Sequence, residues 1–312
     1  MSAKIEIPDA LKADIPANRW GKVLAATPIV MTVIATLLAG LSSSEMTRAQ
    51  YDRSFAAQLQ SKAGDQWSYF QAKRLRAALQ RNTLDVIQGT TSVPPLDANA
   101  LDARLASPAA RKLLESPAGK RAMECLVRGT LPPLAADVAG NPRIAAALAA
   151  VDAGESDAAI ARLLAAIKPA ELEAAMADAT ARVRAADAEL RPISQAIDTL
   201  ERELTATGGA PDPLRSLVAA RLTFAGQRYD TESRQNQVIA QLYELQVRQS
   251  NLSAERHHNR SQRFFYGMLA AQLGVIISTF SMAARQKNIL WALAATAGSA
   301  AVGFACYVYL FV

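Results

Sequence analysis

The sequence predicts an all-α integral membrane protein: three transmembrane helices carrying a long helical, coiled-coil stalk outside the membrane and a small helical cap. Three observations predict it. Residues 23–41, 264–284 and 289–312 contain no Asp, Glu, Lys, Arg or His, and each has the roughly 20 apolar residues that cross a bilayer as a helix. The residues between the first run and the second are polar, alanine-rich and almost free of strand patterning. Finally, long stretches of that polar region repeat their apolar residues at helical spacing.

The first apolar run, residues 23–41, follows a tail, residues 1–22, with Glu6, Asp9 and Asp14 beside Lys12, Arg19 and Lys22. A run of this length, with acidic residues before it and no clean A-x-A after it, reads as an uncleaved anchor and not a secretory leader. Residues 42–89 then hold neither Pro nor a turn cluster, and Phe55, Leu59, Ala63 and Phe70 recur four and seven apart. The membrane helix is therefore expected to run on as a stalk helix, reaching on the order of 70 Å from the bilayer at about 1.5 Å per residue. The aromatic cluster Trp67-Ser68-Tyr69-Phe70 would lie too far out for an interfacial belt. Trp67 and Phe70 are expected to pack against a partner helix or another subunit, with a ligand site as the alternative.

Residues 90–168 change character. Pro94-Pro95, Ser107-Pro108, Ser116-Pro117, Pro132-Pro133 and Asn141-Pro142 cut the chain into short helices, such as 102–105, 109–114 and 143–151, which predicts a compact cap. Residues 169–263 predict an antiparallel coiled-coil hairpin. Leu172, Met176, Ala179, Val183, Ala186, Leu190, Ile193, Ile197, Leu200 and Leu204 alternate steps of four and three, the spacing of a coiled-coil seam. Pro192 falls inside this run and should kink it locally. The segment 207–213, rich in Gly and Pro, ends the helix. A second arm then carries Leu217, Phe224, Thr231, Val238, Leu245 and Leu252 seven apart and passes without a break into the span at 264–284.

Within the spans, small residues recur every four positions: Thr32, Thr36 and Gly40 in the first, Ala270, Gly274 and Ser278 in the second, Ala295, Ser299 and Gly303 in the third. Such stripes permit close helix approach, and three spans cannot satisfy all of them internally, so contacts between subunits are expected. The absence of ionisable groups from the spans argues against a proton relay, ion pump or voltage sensor.

Catalytic and cofactor signatures are missing. There is no Gly-rich phosphate loop, G-x-S-x-G, H-E-x-x-H or CxxC, so no catalytic, metal or cofactor residue is assigned and an enzyme is not expected. The two histidines, His257 and His258, are adjacent and point about 100 degrees apart on a helix. Arg256, His257, His258, Arg260 and Arg263 are read as a lipid-headgroup segment, with a metal or pH-switch role as the alternative. A net charge of +6 over 312 residues, without a basic patch away from the membrane, gives no reason to expect a nucleic-acid partner. Cys125 and Cys306 lie in different environments and form no predicted pair.

With three crossings, the tail and the Arg285–Asn288 loop share one side, and the large domain the other. Arg285, Lys287, Arg19 and Lys22 favour a cytoplasmic loop and a periplasmic domain, while Arg48, Arg53, Arg256, Arg260 and Arg263 load the opposite side about as heavily.

The segment Gln60-Ser61-Lys62-Ala63-Gly64-Asp65-Gln66-Trp67-Ser68-Tyr69-Phe70-Gln71-Ala72-Lys73-Arg74, placed after an N-terminal span, resembles the "SKASDQWAYYQAK" signature of a bacterial membrane family catalogued as domain of unknown function 4337. The order of parts is also similar: one span, a helical domain, a basic His-containing segment and two closing spans. The 90–168 region has no counterpart in the resemblance. The resemblance implies membership and the topology of a multi-pass protein of the bacterial inner membrane, and the family carries no established activity. Every strong pattern in the sequence is a packing pattern, so the expected function is a membrane-anchored structural or scaffolding protein. It would sit in the lipid bilayer as a homo-oligomer or organise other membrane proteins; the alternative is an accessory or sensory subunit of a transporter or channel.

Overall fold

The computed structural model describes residues 19–311 apart from 106, 135–139, 207–210 and 284–286. Most of the N-terminal tail, the Gly208-Gly209 turn, and Arg285 and Gln286 of the short loop therefore lie outside the described residues. The helices are α1 (Arg19–Thr90), α2 (Ala98–Arg104), α3 (Pro108–Glu115), α4 (Pro117–Arg128), α5 (Pro142–Asp152), α6 (Asp157–Ala165), α7 (Pro169–Ala206), α8 (Pro211–Ala283) and α9 (Lys287–Phe311). There is no strand among the described residues. Three helices, α1, α8 and α9, are long and apolar enough to cross a membrane.

The chain divides into two compact units, residues 1–56 with 250–312, and residues 57–249, so that α1 and α8 each contribute to both. In the first unit, the apolar windows of α1, α8 and α9 are only 18%, 33% and 17% buried. Most of their apolar side chains therefore need a non-aqueous surrounding, because water would leave large contiguous apolar surfaces exposed. A narrow strip of each helix packs inward: Ala35 and Leu38 of α1, Phe264 and Ala271 of α8, Ala301 and Val308 of α9.

The second unit is built round α8. From 213 to 249, Arg234 alone is exposed among its residues, so this stretch is surrounded by its neighbours, as a helix without a solvated face must be. Helix α7 runs antiparallel to it: Arg221 contacts Glu201 at 3.1 Å, while Arg228, further along α8, contacts Asp187, further back along α7, at 3.8 Å. Leu172, Ala179, Ala186, Leu190, Ile193, Ile197, Leu200 and Leu204 of α7 are buried, and Met176 and Val183 are half-buried. On α8, Leu217, Phe224, Leu242 and Leu245 are buried, whereas Thr231, Val238 and Leu252 are half-buried. Helix α7 continues through Pro192, which forfeits one backbone hydrogen bond inside a helix held by its buried stripe.

The region 90–168 forms five short helices among the described residues, and the one expected over 102–105 begins at Ala98, four residues earlier. Their starts follow from capping chemistry. The side chains of Asp97, Ser107, Ser116, Asn141 and Ser156 accept the backbone N–H groups of Asn99, Ala110, Gly119, Arg143 and Ala159, and Pro occupies the first helical position of α3, α4 and α5. Gly129 ends α4 at φ 65°, a left-handed conformation in which glycine avoids the Cβ penalty. The first three of these helices share their core with the long helices. Leu101, Leu105, Ala110, Ala122, Cys125 and Leu126 share one core with Leu190, Ile197, Leu200 and Phe224. Further along, Gln241 donates to Asp152 at 2.5 Å and Gln249 to the Ile167 carbonyl at 2.8 Å. Helices α2 to α4 bury their apolar faces along α7 and α8 because none of them is long enough to hold a core alone.

Gly119 and Gly64 give opposite expectations. A Cβ at Gly119 would overlap the Leu113 carbonyl oxygen, whereas nothing lies within 4 Å of one at Gly64, inside α1. Gly119→Ala should destabilise the protein by about 1–3 kcal/mol, and Gly64→Ala should stabilise it by about 0.5–1 kcal/mol. Denaturant unfolding of the second unit in the intact protein reads both; equal shifts would contradict this packing of the α3–α4 turn.

Candidate functional site

The segment that carries the family resemblance faces α8. Ala63 and Ala77 of α1 are each 1% exposed, and their small side chains permit close approach to α8, where a Cβ on Gly226 would lie 3.9 Å from the Ala77 carbonyl oxygen. Between them the contact becomes polar. The Trp67 indole N–H donates to Glu244 Oε1 at 2.7 Å, and its ring meets Phe70 edge to face at 5.4 Å between centroids. Lys73 Nζ pairs with Glu232 and lies 5.3 Å from the centre of the Tyr229 ring, which Arg76 also approaches at 5.9 Å. Arg81 pairs with Asp230 at 3.2 Å.

Glu232 links this contact to α7. Arg228 Nε donates to Glu232 Oε1 at 2.6 Å, and its other nitrogens reach Ser194 Oγ at 2.5 Å and Asp187 at 3.8 Å. Lys73, Glu232, Arg228 and Asp187 thus form a charge-balanced chain across α1, α8 and α7. A cleft of about 270 Å³ opens beside it, lined by Gln66, Tyr69, Lys73, Arg228, Glu232 and Asn236. Gln66 Oε1 is buried without a hydrogen-bond partner. Chemically, this arrangement clamps three helices: each charge has an opposite charge in reach, and removing one strands another where water is scarce.

A larger cleft, about 500 Å³, is lined by Arg121, Cys125, Arg128, Arg182, Glu189 and Gln235 among others. Burial, helped by the Glu124 carboxylate, raises the Cys125 thiol pKa above its ordinary value, with Arg121 and Arg128 opposing. That thiol is held protonated near neutral pH, the opposite of an activated nucleophile. Among the described residues no group of three or more His, Cys, Asp or Glu side chains is placed to hold a metal ion.

In the first unit, Ser42 and Ser261 clasp α1 to α8 reciprocally: each hydroxyl donates to the other residue's carbonyl, at 2.9 and 2.8 Å. One turn along, His257 Nδ1 meets Glu45 Oε2 at 2.5 Å. Of the five residues assigned to lipid headgroups, Arg256 is exposed, while His257, His258, Arg260 and Arg263 are half-buried. His257 faces a carboxylate of its own chain, and His258 Nδ1 and Arg260 Nε are buried without partners.

The packing residues separate in the same way. Leu190, Ile193, Ile197 and Leu245 are buried inside the chain, and Trp67 and Phe70 face α8. A Cβ on Gly274 would meet the Ala294 carbonyl oxygen at 3.4 Å and Met31 Sδ at 3.5 Å, so this position joins the three apolar helices. Ser299 and Gly303 are exposed, and the buried positions of α9 are instead Ala294, Gly298, Ala301 and Val308. Thr32, Thr36 and Gly40 are exposed on α1. Phe55 is also exposed, stacked on Tyr51 with centroids 6.5 Å apart, while Leu59 and Ala63 are buried.

The partners Glu45, Ser42, Glu232 and Glu244 were not legible in the sequence. Each sits in a helix with charges on several faces, and a pairing between residues about 160 to 220 positions apart leaves no local signal.

These features define an all-helical protein in which two very long helices each join a membrane-length apolar segment to a polar helical unit. Residues 20–114 match the family model described as Domain of unknown function (DUF4337), so this part of the chain is similar to that family. The match takes in α1 and continues through α2 into α3, into the region the signature did not reach, and leaves the closing apolar helices outside. No curated protein and no solved structure matches the chain.

Trp67→Phe tests the signature contact. Losing the indole donor leaves the half-buried Glu244 carboxylate unpaired and should cost about 1–3 kcal/mol, whereas Glu244→Gln, whose amide oxygen still accepts, should cost less. Denaturant midpoints of the two variants decide it, and equal losses would contradict the assigned bond.

Proposed function

We propose that the protein is a non-enzymatic, membrane-anchored helical scaffold of the bacterial inner membrane that self-associates or organises other membrane proteins, with its polar unit on the periplasmic side. One observation carries this reading. In the first unit a groove of about 710 Å³ runs between α1 and α9, lined by Ala26, Val30, Ala295, Gly298, Ser299 and Gly303 among others, and the described residues leave it unfilled. Small side chains there let another helix approach closely, and the hydroxyls of neighbouring Thr32 and Thr36 are satisfied within α1 by the Pro28 and Thr32 carbonyls.

A second reading, an accessory or sensory subunit of a transporter or channel, is favoured by a different observation. Helices α1 and α8 each run unbroken from an apolar segment into the polar unit, so a shift of one against the other would be carried along both.

Amine-reactive cross-linking in native membranes at natural expression, followed by mild-detergent isolation, separates these readings. Self-association predicts bands at multiples of the chain mass; the accessory role predicts a different membrane protein in stoichiometric amount. A chain that stays monomeric and recovers nothing would sink both.

A further inference from the structure

Helix α1 has a second patterned face, opposite the one that packs on α8. Ser68, Ala72, Leu75, Leu79, Asn82 and Val86 are all exposed, with Leu75, Leu79 and Val86 at 62%, 53% and 63%. Their spacing is four, three, four, three, four, a coiled-coil seam in which Asn82 is the one amide. No charged residue lies on the line. The flanking hydroxyls are turned into the helix, Ser68 donating to the Gly64 carbonyl, Thr83 to that of Leu79 and Thr90 to that of Val86, so the stripe presents methyl and methylene groups outward. An apolar seam of this kind on a polar helical unit is a face built to be covered.

We propose that this face pairs with the same face of a second copy of the chain, as a parallel, in-register coiled coil over residues 68–86. The inference rests on the self-association reading and locates it. Two copies inserted the same way into one membrane run their α1 helices in the same direction, which selects parallel pairing. In that register the flanking positions oppose Gln71 to Arg76, Ala78 to Thr83 and Asp85 to Thr90, so like charges do not meet. One step before Ser68 along the seam, Asp65 would face its own copy, and this repulsion marks where pairing begins. The two Asn82 amides, at a d position, face each other and can hydrogen-bond across the seam in this register and not in one shifted by a heptad. Three large apolar side chains per copy fall short of the 1,200 Å² or more of a stable interface between free proteins, so the pairing depends on the membrane tether, which raises effective concentration.

Disulfide trapping in native membranes tests this. In a background of Cys125→Ala and Cys306→Ser, single cysteines are placed on the seam (L75C, L79C) and off it at an exposed position of the same helix (R74C), and a mild oxidant is added. A dimer fraction several-fold greater for L75C and L79C than for R74C is expected. Equal trapping at all three positions would overturn the seam. The parent chain is cross-linked in parallel with an amine-reactive reagent. Oligomers there without seam trapping would overturn the inference and leave self-association standing; no product in either assay would remove both.

Discussion

Lipid hydrocarbon offers a backbone N–H or C=O nothing to bond to, and on the proposed reading this constraint shapes the rest of the molecule. A segment in such a medium must satisfy its backbone internally, so the apolar runs have to be helices. Their side-chain polar groups obey the same rule: Thr32, Thr36, Ser278 and Ser281 all donate to carbonyls of their own helix, and the Trp291 indole N–H finds Thr27 Oγ1 at 2.9 Å. Helices α1 and α8 do not end where their apolar runs end. The helical geometry that lipid imposes is extended into sequence that carries its own buried stripes, and those stripes need partners.

Within the polar unit, α8 supplies the partner for both sides. Its contact with α7 and the short helices α2 to α4 centres on an apolar core rich in Leu and Ile, held by burial at about 25 cal/mol per Å², with Arg221 and Arg228 pairing to α7 beside it. Its contact with α1 is built differently, from alanines that let the helices approach and from a few partly buried charges. Such pairs add little net stability against an apolar alternative, but they tolerate few other arrangements. Lys73 at Glu232, Trp67 at Glu244 and Arg81 at Asp230 specify which faces of two long helices meet, a task that alanines alone would leave undecided.

Three of the short helices' starts were legible because Pro, Ser and Asn act locally: Ser107-Pro108, Ser116-Pro117 and Asn141-Pro142 each start a helix by capping its own first turn. The buried stripe of α7 was legible for a related reason, since its polar positions contrast with its apolar ones. Where that contrast disappears, so does the signal. In an apolar span every face is apolar, and small-residue spacing alone marked three faces, of which Gly274 packs inside and Ser299 and Gly303 face out. Helix α1 carries two apolar lines, Leu59, Ala63 and Phe70 inward and Leu75, Leu79 and Val86 outward, and spacing cannot say which one the chain itself covers. The charge partners of the signature were hidden because they join residues far apart in sequence, and the short helices' place along α7 and α8 depends on apolar faces too brief to show a period.

The central claim is that α1, α8 and α9 lie in lipid. Alkaline carbonate extraction of membranes from cells making the full chain tests it most directly, since carbonate strips proteins held by charge and leaves those embedded in hydrocarbon. Retention in the pellet, with release by detergent alone, is the expected result. Full-length chain in the carbonate supernatant would mean that the exposed apolar faces of these three helices are covered by protein and not by a bilayer.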